Sequence, residues 1–290
     1  MFTLYLLTRK GFEVLNALIN SGHARRIDRV VVGTDKNVQH DYSDEIQNLC
    51  ASHRVSCIPR QQAFAASSPL SIAISWRWMI NDQRTRLIVL HDSLLPKYRG
   101  FAPLVTALIN GDEEIGVTAL YASDEYDRGD IIFKSSTTIT YPIRIADAIE
   151  RVSRNYVSIV LSIFECVIRE QELPRTPQNE AEATYSLWRD EQDYLIPWEN
   201  DAQSIRRFID ATGCPYLGAS AYIDGRKIRI LAAEEQPDLS IVNRTPGKVI
   251  SNDQGCPIVV CGKGLLRLVE VVEDETRKTM LPFPRFRIRL

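Results

Sequence analysis

Two polar segments of the sequence combine residue types that can move protons. His91 directly follows the apolar run Leu87–Leu90, and an acidic cluster at 124–130 follows a second apolar run, Gly116–Tyr121. A single histidine is more often a hydrogen-bonded packing residue than a catalyst. If the two runs are neighbouring strands, however, their loops meet at one edge, and an aspartate of the cluster can orient the imidazole and stabilise its protonated form. The pattern therefore predicts a general acid/base pair.

The first half of the chain alternates short apolar runs with segments of helical periodicity. This alternation is typical of an α/β fold with a mostly parallel sheet that helices cover on both faces. The predicted strands cover 2–7, 29–33, 70–75, 87–90 and 116–121, and the predicted helices cover 11–20, 44–52 and 145–169. Ligands of open α/β sheets bind beyond the carboxyl ends of the strands, which is where His91 falls. No dinucleotide-binding glycine fingerprint follows the first strand.

The second half of the chain has a different character. Residues 170–184 are polar, contain Pro174 and Pro177, and are interpreted as a linker. A helix is predicted over 201–211, and short strands separated by turns are predicted over 219–223, 227–232, 247–251, 257–261 and 265–271. Short strands of this kind indicate a small β-barrel or sandwich. We therefore predict two domains, 1–184 and 185–290.

Composition limits the class of protein. The formal net charge of −2 over 290 residues disfavours a nucleic acid as the main partner. The six cysteines show no paired spacing and the four histidines lie far from any cysteine cluster, so no metal site is expected. No leader peptide and no apolar run of about 20 residues is visible, so we expect a cytoplasmic protein without a membrane partner.

The segment from His91 to Ile131 resembles the signature of the folate-dependent formyltransferases. That signature reads approximately N-x-H-x-S-L-L-P-x-x-R-G, then a G-V-T strand, then D-x-G-x-I. Here it corresponds to His91, Ser93–Pro96, Arg99–Gly100, Gly116–Thr118 and Asp127–Ile131. The resemblance extends over roughly residues 1–230. It implies a Rossmann-like N-terminal domain and a smaller C-terminal β-barrel domain.

The family reaction transfers a formyl group from 10-formyltetrahydrofolate to a primary amine. The resemblance implies that His91 transfers protons and supports the oxyanion, with Asp127 orienting it. It places the folate near the cofactor-binding candidates Trp76, Arg77, Trp78, Tyr121, Asp124 and Gly129. Trp76 and Trp78 could equally be core packing residues. The acceptor loop would be shaped by Ser93, Tyr98, Arg99 and Gly100.

One position departs from the family signature. The family has an asparagine two residues before the histidine, and its side chain donates to the oxyanion; here that residue is Val89. Losing one such donor typically costs about a hundred- to a thousand-fold in rate. Candidate substitutes are a protonated Asp92, Ser93, Asn81 or a backbone N–H. The alternative is a catalytically weakened homologue that binds a sugar nucleotide or folate.

Three acceptors are compatible with the resemblance: a charged tRNA, glycinamide ribonucleotide and a nucleotide-linked amino sugar. Residues 93–104 and 188–219 are most similar to the sugar-nucleotide enzymes, which favours a nucleotide amino sugar as the partner. Arg189 and Asp193 would then face the diphosphate or the sugar, although they could also form a solvated turn. Enzymes of this kind often pair through the second domain, so a homodimer is an expectation. Methionyl-tRNA formyltransferase is the remaining alternative.

Overall fold

The computed structural model describes residues 1–62, 68–80 and 85–290. The chain divides into two compact units. The first contains 1–104, 113–139 and 148–187, and the second contains 105–112, 140–147 and 188–290. The main break therefore falls near residue 187, and two short segments from the first half of the chain group with the C-terminal strands.

The first unit is built on a seven-stranded sheet of order β3-β2-β1-β4-β5-β7-β8. Its strands are β1 Phe2–Leu6, β2 Ile27–Val32, β3 Cys57–Pro59, β4 Leu70–Ile74, β5 Arg86–His91, β7 Glu114–Tyr121 and β8 Ile131–Thr138. The five neighbouring strands β3, β2, β1, β4 and β5 run parallel to one another, whereas β7 is antiparallel to β5 and β8 is antiparallel to β7. β1 and β4 are buried at every position, as strands covered on both faces must be. The mostly parallel sheet predicted from the sequence is confirmed.

Helices and one short strand pair complete the first half of the chain. The helices are α1 Thr8–Asn20, α2 Ser43–Ser52, α3 Pro103–Asn110 and α4 Ile145–Ile168, and the short strands are β6 Arg99–Gly100 and β9 Tyr185–Ser186. Phe164 of α4 stacks on Phe2 of β1, with ring centroids 3.7 Å apart. The apolar stripe of α4 is therefore anchored to the centre of the sheet.

The second unit contains a separate antiparallel sheet of order β10-β11-β14-β13-β12, packed with the helix α5 Ala202–Thr212. The strands are β10 Ala219–Ile223, β11 Arg226–Gln236, β12 Val249–Asp253, β13 Cys256–Val260 and β14 Leu265–Glu273. Asp201 caps α5, because its Oδ1 accepts from the Ser204 N–H at 2.9 Å. Asp224 and Gly225 both have positive φ and form the two-residue hairpin turn expected between β10 and β11.

The sequence missed β3, α3 and β8. β3 has three residues and α3 eight, so neither is long enough to show a period. β8 begins with two buried residues, then alternates half-buried and exposed residues at an edge of the sheet, and ends in Ser and Thr. Among the residues that the structure describes, no helix is long and apolar enough to cross a membrane, and no cluster of side chains could hold a metal ion.

Candidate active site

His91 ends β5, and its imidazole ring lies between two oxygen acceptors. Nε2 donates to the Tyr98 carbonyl oxygen at 2.8 Å, and Nδ1 lies 3.4 Å from Oδ1 of Asp127. The two side chains are 8% and 13% exposed, so bulk water is largely excluded. Because a carbonyl and a carboxylate only accept, the ring satisfies both neighbours when both nitrogens carry a proton. The structure thus brings together the two residues that the sequence paired.

The route by which Asp127 reaches His91 differs from the expected one. Tyr121 of β7 pairs with Ile88 of β5, and Thr118 pairs with His91, so the two strands run in opposite directions. The expectation that both loops leave the sheet at one edge is therefore wrong. Asp127 reaches His91 because the loop 122–130 turns back along the sheet before β8 begins.

Three contacts hold this loop in place. The Gly100 N–H donates to Oδ2 of Asp127 at 2.8 Å, and Asp127 itself has a φ of 57°. Gly129 lies so close to the Tyr121 carbonyl that a Cβ there would be 1.7 Å from the oxygen. Gln178 donates from Nε2 to the carbonyls of both Asp127 and Gly129. The carboxylate is therefore positioned by backbone contacts on either side of it.

The segment 176–186 is packed against the site, although the sequence indicated a linker there. Thr176 exchanges two backbone hydrogen bonds with Ile131, and Thr184 bonds with Pro96 and Arg99. β9 then pairs with β6 in parallel. This segment joins the loop after His91 to the loop that carries Asp127.

Arg99, a predicted acceptor-loop residue, is 1% exposed and is held by this same segment. Its guanidinium donates to both carboxylate oxygens of Glu180, at 2.7 and 2.8 Å, and to the amide oxygen of Gln178. These hydrogen bonds lower the pKa of Glu180. The sequence patterns did not predict Gln178, Glu180 and Thr184 as residues of the site. Residues 170–187 contain two prolines and no glycine, a composition that indicates a stiff segment and not a flexible linker.

Val89 places no hydrogen-bond donor beside His91. Across the sheet it belongs to a row with Val31, Tyr5, Ala73 and Leu120, on the same face as His91. Its half-buried side chain packs with apolar residues on both sides of β5. The position that the family gives to an amide is thus part of an apolar surface.

The side chains considered as substitute donors are already engaged. The Ser93 hydroxyl donates to the Lys97 carbonyl oxygen at 2.6 Å. Asp92 accepts from Lys10 and from the Tyr156 hydroxyl. Asn81 lies outside the described residues. Neither of the two described side chains has a donor to spare for an oxyanion in this arrangement.

Asp92, Lys10 and Tyr156 form a polar network between β5, α1 and α4. Burial raises the pKa of Asp92, but the charge of Lys10 and the hydrogen bonds from Lys10 and Tyr156 outweigh this effect and hold the pKa below its usual value. Burial and the neighbouring Asp92 charge raise the pKa of Tyr156. A protonated Asp92, one of the expected oxyanion donors, is therefore disfavoured, and that expectation is wrong.

The predicted cofactor residues after β4 form an aromatic cluster. Trp76 contacts Tyr5 and Trp78 edge-to-face, with ring centroids 5.3 and 4.9 Å apart. The guanidinium of Arg60 lies 4.3 Å from the ring centroid of Trp78, and Arg77 donates to Asp35 at 2.6 Å. The indole Nε1 of Trp76 is buried and has no hydrogen-bond partner among the described residues. β4 and β5 are neighbouring parallel strands, so this cluster and His91 follow the same ends of adjacent strands.

The remaining predicted residues have different surroundings. Tyr121 is buried, with its ring under the guanidinium of Arg175, whereas Asp124 is exposed. Arg189 and Asp193 belong to the second unit. Arg189 donates to the Asp193 carbonyl at 3.4 Å, and the Asp193 carboxylate accepts from the Asp190 N–H. This is the local turn that was the alternative interpretation of those two residues.

Two protein-family models match this chain, and one of them covers the candidate site. The formyl transferase model matches residues 76–160, and the model of the formyl transferase C-terminal domain matches residues 189–282. Together they cover more than half of the chain, and the first includes both His91 and Asp127.

Individual relatives agree with these matches. A methionyl-tRNA formyltransferase of Syntrophomonas wolfei is 28% identical over 199 residues, which is 69% of this chain and 62% of that protein. HypX from Aquifex aeolicus in complex with tetrahydrofolic acid superimposes with a TM-score of 0.63 and 20% identity, covering 96% of this chain and 45% of that one. An N-formyltransferase from Helicobacter canadensis, solved with folinic acid and dTDP-3-aminofucose, superimposes with a TM-score of 0.69 and 14% identity, over 94% and 98% of the two chains. The chain thus spans less than two thirds of the first two proteins.

The two solved structures share the fold over most of this chain. The first family model lies mainly in the first unit, and the second lies in the second unit. The protein belongs to the formyltransferase family.

Proposed function

We propose that this protein is an N-formyltransferase that moves a formyl group from 10-formyltetrahydrofolate to the amine of a nucleotide-linked amino sugar. The observation that carries the proposal is the His91–Asp127 pair at the end of β5, inside the stretch that matches the formyl transferase model. When bound, the folate supplies the formyl group.

The residues after β4 fit a folate. Trp76 and Trp78 offer aromatic surface to a flat bicyclic ring. Arg77, held by Asp35, adds positive charge at the same edge. Two structural relatives were solved with tetrahydrofolic acid and with folinic acid, which supports this assignment.

His91 and Asp127 would do the proton chemistry. His91 would act as the base in its neutral form, in which Nδ1–H faces Asp127 and the unprotonated Nε2 has turned from the Tyr98 carbonyl to the reacting group. Nε2 would then take the proton that the attacking amine must lose and return it to the departing nitrogen of the folate. Asp127 then faces a positively charged ring and stabilises it electrostatically. The low exposure of both side chains strengthens that attraction, because little water screens it.

The amino sugar is proposed as the acceptor on two grounds. The net charge of −2 does not favour a tRNA, whose binding requires a strong positive surface. The Helicobacter canadensis relative was solved with a nucleotide amino sugar, and its alignment covers nearly all of both chains. The methionyl-tRNA relative keeps a tRNA acceptor as the second candidate, because it is 28% identical to this chain over 199 residues.

The test is to incubate the protein with 10-formyltetrahydrofolate and a panel of nucleotide amino sugars, and to follow release of tetrahydrofolate. We expect turnover with at least one sugar and a loss of about a hundred-fold or more in kcat for His91→Ala and Asp127→Asn. His40→Ala is the matched control, since His40 pairs with Glu45 at 2.6 Å in an exposed position. Binding of nucleotide sugars without turnover across the panel would indicate a weakened homologue. Turnover with charged tRNA alone would establish the second candidate.

A further inference from the structure

Gln178 connects the loop of Asp127 to a buried arginine through both ends of its amide. Nε2 donates to the carbonyls of Asp127 at 2.7 Å and Gly129 at 2.9 Å. Oε1 accepts from Nε and from a terminal nitrogen of Arg99, at 3.2 and 2.8 Å. Carbonyls only accept and a guanidinium only donates, so this orientation of the amide is the one that satisfies every partner.

Arg99 holds the oxygen end of this amide in a fixed position. The arginine is 1% exposed, and the two oxygens of Glu180 hold its other donors in a bidentate pair. A planar guanidinium held at several donors has little freedom to turn. Arg99 and Glu180 therefore hold the Gln178 amide in place, and the amide in turn holds the backbone of the Asp127 loop.

Asp127 needs such support because its backbone is in the left-handed region, with a φ of 57°. That conformation is unfavourable for a residue with a side chain, and it persists only where neighbouring contacts impose it. The Gly100 N–H holds one carboxylate oxygen, but it does not hold the backbone. The two hydrogen bonds from Gln178 act on the backbone, at residues 127 and 129.

We propose that Gln178 is a positioning residue, which keeps the Asp127 carboxylate beside Nδ1 of His91 by binding the backbone of the loop. The assignment rests on the function proposed above, since it concerns the same pair. The side-chain hydrogen bonds of Gln178 go to Arg99 and to the backbone of Asp127 and Gly129, so we expect its effect on the reaction to pass through Asp127.

Two substitutions separate this role from a general structural one. Gln178→Glu keeps an acceptor for Arg99 but replaces the two N–H donors with an oxygen that repels the carbonyls. We expect kcat to fall about 10- to 100-fold in Gln178→Glu as in Gln178→Ala, because a displacement of about 1 Å can cost a hundred-fold. The KM for the acceptor should stay within about two-fold. Asn179→Ala is the matched control, because Asn179 bonds only within its own turn and should keep the wild-type kcat.

A double-mutant cycle tests whether the effect passes through Asp127. On an Asp127→Asn background, Gln178→Glu should lower kcat by less than about two-fold, since the carboxylate that it positions is already gone. Full additivity of the two losses, or near-wild-type kcat in Gln178→Glu, would overturn the proposal.

The ring of His91 provides a readout that does not need turnover. In the ¹⁵N-histidine spectrum of the whole protein, Asp127→Asn should shift the His91 ring signals, and Gln178→Glu should reproduce that shift while Asn179→Ala should not. If the wild type transfers no formyl group but these shifts occur, the proposed function fails and the positioning role stands. If the His91 signals of Gln178→Glu match the wild type, the positioning role is refuted whatever the activity.

Discussion

At the scale of single residues, Val89 stands where the family signature has an asparagine. The side chain faces the same side of the sheet as His91, two residues further along β5. Neither of the described side chains considered as replacements is free: Ser93 donates to a carbonyl and Asp92 is an ionised acceptor. Among the described residues, neither Val89 nor these two side chains offers a free donor to an oxyanion beside His91.

Val89→Asn should restore that donor and raise kcat. One oxyanion donor is worth about 100- to 1,000-fold in rate, so we expect a gain of at least about ten-fold even with imperfect placement. The thermal midpoint should fall, since an amide replaces an apolar side chain in a packed row. Steady-state release of tetrahydrofolate and a thermal melt measure the two effects. Val89→Leu is the control of similar size without a donor, and an unchanged kcat in Val89→Asn would show that another group already fills the role.

At the scale of elements, the loop between β7 and β8 decides where Asp127 lies. It must turn back because β7 is antiparallel to β5, and it passes so close to Tyr121 that only glycine fits at 129. Its far side is held by the segment 176–186, which lies more than 45 residues away in sequence. The geometry of the His91–Asp127 pair is thus a property of several packed segments.

Gly129→Ala should displace this loop. The added Cβ would lie 1.7 Å from the Tyr121 carbonyl oxygen, so the backbone must move. We expect a loss of about 1–3 kcal/mol in the free energy of unfolding and a fall of at least about ten-fold in kcat. Urea unfolding and steady-state kinetics measure these quantities. Gly213→Ala is the control, because its Cβ would meet nothing closer than 3.5 Å; equal effects of the two substitutions would contradict this account.

The junction of β5, α1 and α4 makes a second prediction at this scale. Asp92→Asn leaves Lys10 without its counter-charge, so we expect a loss of roughly 2–4 kcal/mol in the free energy of unfolding at neutral pH. The lowered pKa of Asp92 means that its contribution is present above about pH 4 and is lost as the pH falls through the folded-state value. The difference between variant and wild type should therefore shrink in acid. Urea unfolding between pH 3 and pH 8 measures it, with the exposed pair variant Glu13→Gln as the control.

At the scale of the whole molecule, the two units differ in how well their buried charged side chains are paired. The first unit pairs its buried charges near the site: Arg99 with the exposed Glu180, and Lys10 with Asp92. The second unit buries Asp210 of α5 with a weaker partner, since Arg206 approaches it only to 3.7 Å. Burial raises the pKa of Asp210 to about 6, and the charges of Arg206 and Arg144 only partly oppose this.

Asp210→Asn should stabilise the protein above pH 6. Because the folded-state pKa is raised, ionisation of Asp210 costs stability as the pH rises from about 4 to 6, and the substitution removes that cost. We expect a gain of about 1–3 kcal/mol at pH 7.5 and little change at pH 4. Urea unfolding at several pH values measures it, with Asp224→Asn as an exposed control. A variant less stable than wild type at pH 7.5 would mean that the ion pair with Arg206 outweighs burial.

Local pattern was enough for much of the fold. Apolar runs such as Leu70–Ile74 and helical periods such as that of α4 are determined by neighbours in sequence, so the predicted elements largely match the observed ones. β8 was missed because half of its residues face outward at an edge, where burial and not propensity defines the strand. The signature around His91 and Asp127 also pointed to the family that the comparisons support.

The sequence by itself predicted which residues form the candidate site, because residue type and spacing are local properties of the chain. Only the tertiary structure decided how they meet: the antiparallel direction of β7, the return of the loop 122–130, and the amide of Gln178 that binds a carbonyl 51 positions away. Asp92 likewise was a candidate donor in the sequence, and became an ionised acceptor once Lys10 and Tyr156 folded against it. Strand direction and ion pairing depend on contacts between distant segments, and no short stretch of sequence encodes them.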